Sequence, residues 1–440
     1  MNRDMIIFRS DDPEKRNILK RYTWGGYGIS RFLGLSPEEK ISELWFNSTQ
    51  AGGLTTLPSS DKTLKALIEG DPQNMLGRGF SSKPVFCKIL GKDEGQPQIA
   101  HVGFNDKISG REEDFIKLMT RERSLVTRLK DELSKVIRSE ADFKLYHSSY
   151  SDWVRIETEK RWGEELAPIL PSFMSGFGEG IFRDIQLIRR EIVSYMNEIE
   201  LKPGQVILSP TGYIHSIVGS HQMHPPRSHS EAKSEAWYIF SPSPDGKGLL
   251  YFEPQETSNT TYSPIDFPTP IEWKDGMASL RKDIRNGLEA VLKPGEKRPA
   301  TDEEAIRTMS RALLFKPSKE SDFVITDKAK DITNSKRYSD PVNVSVDVMI
   351  EGLYPVWQKD LFALERIRFN NGGSSVKVEP VDGIYHEIFV IGGEVDICNS
   401  AKVTHLKRGS SVFIPASFRD SYELISASAA EVLRVFPSKQ

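Results

Sequence analysis

Cysteine is almost missing from this chain of 440 residues: Cys87 and Cys398 are the two it has, and they lie far apart in sequence. Two thiols make no disulfide framework and are too few for a thiolate zinc site, so a metal would have to be held by imidazoles and carboxylates. Long apolar runs are missing as well. Nowhere do about eighteen apolar residues follow one another, and the opening residues MNRDMIIFRSDDPEKRN hold no apolar core of signal-peptide length. No membrane partner and a cytoplasmic location are therefore expected. Neither sign of charge is in excess: 59 Lys and Arg stand against 62 Asp and Glu, a net charge of -3. Such a balance gives no general attraction to nucleic acid or to an anionic membrane, so an anionic ligand must be met by a local cluster.

A composition of 38% hydrophobic and 28% charged residues is that of a folded chain. Its length exceeds one ordinary core, and two or three domains are expected. Residues 20–110 carry Gly-rich turns (Trp24-Gly25-Gly26) and short β-type runs such as ELWF and VFCKIL. From Arg111 the period changes. Phe115, Leu118, Met119, Leu125, Leu129 and Leu133 follow i, i+3, i+4 spacing, and Ile185, Ile188 and Ile192 repeat it. Strand patterns return in WYIF and GLLYFE. The layout expected is mainly β with an α insertion: 1–110 β, 111–200 a helical insertion, 201–275 β again, 276–345 a helical, Pro-containing connector, and 346–440 a C-terminal β unit.

The stretch GQVILSPTGYIHSIVG, residues 204–219, combines a strand with a tight reversal. Pro210 fixes φ and Gly212 permits φ > 0, so the turn would hold His215 at a set place on a sheet. That suits a metal ligand as well as an ordinary hydrogen-bonded histidine. Near the C-terminus GSSVFIPAS repeats the Gly-x5-Pro spacing from Gly409 to Pro415. The pattern resembles the second motif of the cupin superfamily, with Gly219 in the place of its final Asn. That resemblance implies two cupin barrels, each a double-sheet jelly roll, plus helical segments. The second copy has Ser417 and Arg419 where the turn Gly and the His would stand, which implies a metal-free C-terminal barrel and a structural His386.

The segments TWGG, SELWF, FCKIL, IAH, the 204–219 turn and SNTTYSPIDF follow one another in an order and spacing that resemble type I phosphomannose isomerases. The resemblance implies a small-molecule sugar phosphate as partner, zinc or another divalent metal, and metal-dependent aldose–ketose isomerisation. The alternative is a cupin that binds a sugar or sugar phosphate without turning it over. Metal ligands implied are His101 and His215 with one carboxylate. Two carboxylates compete for that place: Asp114, with its neighbour Glu113, in REEDFIKLMT, and Glu235 in KSEAWYIF. The second block is similar to Lys-Thr-Glu-Cys-Trp-Tyr of shorter bacterial members, where it precedes the His turn. Lys88, Glu43 and Trp24 match pocket positions and would supply a charge, a carboxylate and an apolar wall. Read as residues alone, a lysine at a strand end, a surface acid and a core tryptophan would look the same.

Departures bear on the chemistry. The family's Gln ligand falls on Ile99, its Ser two residues earlier on Pro97, and its Tyr two residues after the turn His on Ile217; in SNTTYSPIDF its Asp becomes Asn259 and its Arg becomes Ser263. Gln98 lies next to the lost ligand but on the other side of a strand. His221, His224 and His229 fit no zinc spacing and read as a solvated loop. Arg281 and Arg285, four apart, read as an exposed helix face. Slow conversion of mannose 6-phosphate is expected.

Overall fold

The fold is that of a computed structural model. It describes residues 4–8, 17–20, 26–36, 39–50, 53–58, 60–77, 84–91, 98–136, 179–209, 215–217, 232–241, 248–258, 271–274, 277–280, 297–299, 317–320, 323–325, 342–345, 348–352, 362–380, 383–400 and 402–437. The chain is mainly β. Two seven-stranded antiparallel sheets dominate, and each is faced by a smaller one.

The first large sheet runs in space through Val324–Ile325, Val206–Ser209, Ala232–Phe240, Leu250–Ser258, Phe86–Gly91, Glu43–Phe46 and Ile18–Lys20. Both of its faces are covered, so its strands read as near-continuous apolar runs instead of alternating ones. In FCKIL, Cys87 and Ile89 belong to one core and Leu90 to the other. The side carrying Leu90 faces the three-stranded sheet of His215–Ile217, Ile99–Phe104 and Met196–Glu200. Between them lies a core that includes Ala100, Val102, Ile199, Ile207, Trp237 and Tyr251.

The second large sheet takes Ile6–Phe8, Ser411–Ile414, His386–Gly392, Ala430–Pro437, Phe362–Phe369, Val348–Gly352 and Val342–Ser345 in that spatial order. It is faced by the four strands Ser374–Val378, Tyr422–Ser426, Glu394–Asn399 and Lys402–Lys407. The chain's first strand, expected within the first β unit, pairs instead with Ser411–Ile414. Phe8 and Phe413 share a small core with Leu64, Ile68 and Tyr385, and burying that apolar surface holds the strand there.

The two large sheets share one apolar core, in which Leu44, Phe46, Ile89, Phe240 and Phe252 meet Leu364, Phe389, Ile391 and Leu433. Two polar groups of residues are set into it. Arg366 donates from Nη1 to the Tyr238 hydroxyl at 2.8 Å, and that hydroxyl lies 2.5 Å from Glu431. Elsewhere Asn47 Nδ2 donates to Glu387 at 2.5 Å and the Ser411 hydroxyl to Asn47 Oδ1 at 2.9 Å.

Within 111–200, where a helical insertion is expected, the described residues form the helices Glu112–Val136 and Glu179–Ser194, packed through Phe115, Met119, Ile188 and Ile192; residues 137–178 lie outside the described part. Met196–Glu200, still within that range, is already a strand. Of the expected 276–345 connector the described residues include the strands Met277–Leu280 and Lys297–Pro299, which form a small sheet with Ile271–Lys274, and the strands Val324–Ile325 and Val342–Ser345. A short segment with a hairpin partner closes a ladder, whereas an isolated short helix is marginal.

Gly393 closes the hairpin after His386–Gly392 with φ +68, and a Cβ built there would lie 2.4 Å from the Ala429 carbonyl oxygen. Gly393→Ala is expected to cost about 1–3 kcal/mol for the left-handed backbone alone. Unfolding in urea checks it; an unchanged midpoint would show that the turn can relax.

Candidate functional site

The register of the first large sheet collects its charged side chains on the face turned toward the three-stranded sheet. Glu253 stands opposite Lys88, Trp45 opposite Lys88 on the other side, Glu43 opposite Leu90, and Glu235 opposite both Gln255 and Ser209. Directly opposite residues share a face, as do residues two apart on a strand. Lys88, Glu43, Glu235, Glu253 and Gln255 therefore point the same way.

The contacts agree with the register. Lys88 Nζ lies 3.2 Å from Glu253 Oε1 and 3.8 Å from Glu43 Oε1, with its side chain 13% exposed. Gln255 donates to Glu253, and Trp45 Nε1 donates to Glu43. Beside this group His215 Nε2 lies 3.3 Å from Glu235 Oε2, and its ring is 5.4 Å from that of Trp237. Burial pulls the Lys88 ammonium toward deprotonation, but Glu253, Glu43 and Glu235 together more than offset it, so its pKa is raised and it stays charged. Burial pushes the Glu253 carboxyl above the usual carboxylate range; Lys88 opposes this, and the charges of Glu235 and Glu43 add to it. The cluster thus holds a fixed ammonium, a carboxyl that keeps its proton more readily than usual, and a separate imidazole–carboxylate pair. Each of the last two can carry a proton.

The residues expected to bind metal do not form one group. Ala100 and Val102 point into the core between the two sheets, so His101 alternates to the opposite face, where it stands across from Ser216 and Glu198; its Nε2 is 3.8 Å from Glu198. His215 is paired with Val102 and shares the inward face. The two imidazoles therefore lie on opposite sides of their sheet. Asp114 is exposed on the first turn of the helix Glu112–Val136 and bonds to Arg111 at 3.2 Å; Glu113 is exposed beside it. Of the two competing carboxylates, Glu235 is the one the fold brings to His215. Among the described residues no three His, Cys, Asp or Glu side chains gather closely enough to hold a metal ion. Neither the set His101, His215 and Asp114 nor the set His101, His215 and Glu235 comes together among the described residues, so neither fits a zinc ion there.

Ile99 lies on the same face as His101, while Gln98 reaches the inner core and accepts from the Tyr251 hydroxyl at 2.5 Å. Trp24, Pro97, Asn259, Ser263, Arg281, Arg285, the turn at Pro210 to Gly212 and the loop histidines His221, His224 and His229 lie outside the described residues. The sequence reading missed Glu253 and Gln255. Their signal was available: in LYFEPQ, the first part of the strand Leu250–Ser258, Glu253 and Gln255 stand two apart among residues suited to burial on both faces.

Among the described residues no helix is long and apolar enough to cross a membrane. No family model and no curated protein matches the chain. Among solved structures, a mutant phosphomannose isomerase from Salmonella typhimurium is similar over 99% of this chain and 100% of its own, with 13% identity and a TM-score of 0.47. The apo form of mannose 6-phosphate isomerase from the same organism is similar over 100% of both chains at 12% identity and a TM-score of 0.45. A mannose 6-phosphate isomerase bound with zinc and yttrium covers 99% of this chain and 100% of its own, at 12% identity and a TM-score of 0.45.

Proposed function

We propose that this chain takes up a sugar phosphate on the inner face of the first large sheet and moves protons on it as an aldose–ketose isomerase does. The observation that carries the reading is the convergence of Lys88, Glu43, Glu253 and Gln255 beside the His215–Glu235 pair. Sugar hydroxyls find carboxylate acceptors there, and Lys88 can face the substrate's carbonyl oxygen as negative charge develops on it. Isomerisation shifts one proton between neighbouring carbons and one between their oxygens. Glu253 and the His215–Glu235 pair are two separate carriers for those transfers. The two sheet pairs are read as two cupin barrels in support of this, since their large sheets place the Gly-x5-Pro strands Val206–Ser209 and Ser411–Ile414 at the same position.

Binding without turnover is the second reading. It is favoured by the separation of His101 from His215 across their sheet and by Ile99 where the family's ligand would be.

Deuterium uptake from D2O at C2 of mannose 6-phosphate, followed by NMR with calorimetric titration in parallel, tests both. Exchange above the protein-free rate, reduced at least tenfold in Glu253→Gln, supports the isomerase reading. Binding with no exchange supports the second. Neither binding nor exchange overturns both.

A further inference from the structure

The C-terminal unit repeats the polar site of the first unit position by position, with its character inverted. In the first large sheet Glu235 stands opposite Ser209, which follows Gly204 by five residues; in the second, His386 stands opposite Ile414, which follows Gly409 by five. One strand further on, Glu253 faces Lys88, and the corresponding Arg434 faces Glu365. His215 and Tyr422 each begin the strand that comes after the Gly-x5-Pro segment.

The contacts match as well as the positions. His215 meets Glu235 at 3.3 Å, and Tyr422 meets His386 Nε2 at 3.0 Å. Lys88 meets Glu253 at 3.2 Å, and Arg434 meets Glu365 at 3.2 Å. Two carboxylates and an ammonium in the first unit are thus replaced by an imidazole, a guanidinium and a carboxylate. The chain order differs, since His386–Gly392 precedes its Gly-x5-Pro segment whereas Ala232–Phe240 follows its own. This equivalence is therefore one of space and not of sequence.

The second cluster is deeply buried, with His386 at 0%, Tyr422 at 2% and Arg434 at 8% exposure, and it reaches the surface beside Glu365, whose side chain is 25% exposed. Burial and the neighbouring Arg434 hold His386 neutral. The His386 Nε2–Tyr422 contact suits either tautomer; in the one where the Tyr422 hydroxyl donates, the proton of the neutral ring resides on Nδ1. In that tautomer His386 Nδ1 and Arg434 Nε are two buried N–H groups with no hydrogen-bond partner among the described residues. The other guanidinium nitrogens are used: Nη1 goes to Glu365 and Nη2 donates to the Glu379 carbonyl at 2.8 Å. Buried donors left without acceptors are uncommon and mark a missing partner.

We propose that this cluster is a second ligand site, which takes the oxyanion end of a small molecule, a carboxylate or a phosphate, on Arg434 and His386. An oxyanion offers several lone pairs to two N–H donors and is favoured beside a guanidinium. The acidic first cluster presents acceptors to hydroxyl groups; the second presents donors to an anion. This site does not depend on the function proposed for the first.

Titration with inorganic phosphate and, separately, with acetate tests it, read by the imidazole nitrogen resonances of the full-length protein and by calorimetry. Saturable binding of either ion that moves the His386 resonance, and that weakens at least tenfold in Arg434→Gln or His386→Gln, is expected. The ion that binds more tightly identifies the ligand's anionic group. Should both variants fail to fold, the His386 resonance of the wild type decides alone. A His386 signal unmoved at saturation, undiminished affinity in a folded variant, or no binding of either ion overturns the proposal.

Discussion

At pH 9, Glu387→Gln is expected to unfold at a higher denaturant concentration than the wild-type chain, and at pH 4 the two midpoints should nearly coincide. Glu387 is 1% exposed in the core shared by the two large sheets. Burial pushes its carboxyl up to about 8, against the pull of the hydrogen bond from Asn47. Its Oε1 has no hydrogen-bond partner among the described residues. The sign follows from the raised value. Below the unfolded pKa, near the ordinary 4.5, both states hold the proton and Glu387 carries no penalty. Between there and about 8 the unfolded chain releases its proton while the folded chain keeps it, so stability falls by roughly 1.4 kcal/mol per pH unit. Above that the loss is complete, on the order of 5 kcal/mol. Glutamine keeps an acceptor for Asn47 and cannot ionise. Equal midpoints at pH 9 would show that water reaches the carboxylate.

Lys88→Met is expected to lower stability by about 3–5 kcal/mol at neutral pH, since removing one partner strands an uncompensated buried charge. It would leave Glu43 and Glu253, both below 5% exposure, on one face with Glu235. The double variant Lys88→Met with Glu253→Gln should recover much of the loss, because the carboxylate that met Lys88 at 3.2 Å is then neutral. Denaturant unfolding of the single and double variants checks this. A double variant no more stable than the single one would show that Lys88 acts through packing of its stem and not through charge.

The mainly β character and the change of period near residue 111 were legible in the residues, because period and turn chemistry are local. The period of 3.6 beginning at Phe115 needs no knowledge of the rest of the chain, and neither does the Gly-x5-Pro spacing at 204 and 409. Pairing register is not local. His101 and His215 read as two ligands of one metal, yet a strand changes face at every residue, so pairing His215 with Val102 instead of with His101 puts them on opposite sides. The choice between Asp114 and Glu235 was likewise open until the strand Ala232–Phe240 was seated between Val206–Ser209 and Leu250–Ser258. Spacing could not reveal that seating, because the corresponding strand of the C-terminal sheet comes earlier in its unit. The sequence by itself determined which residues are able to ionise and where the hydrophobic period switches between that of a strand and that of a helix. Only the tertiary structure decided which of those residues share a face, and which carboxylates are buried deeply enough for their protons to be held: both depend on partners far away in the chain, and elements that meet only through packing set no pattern that local sequence must obey.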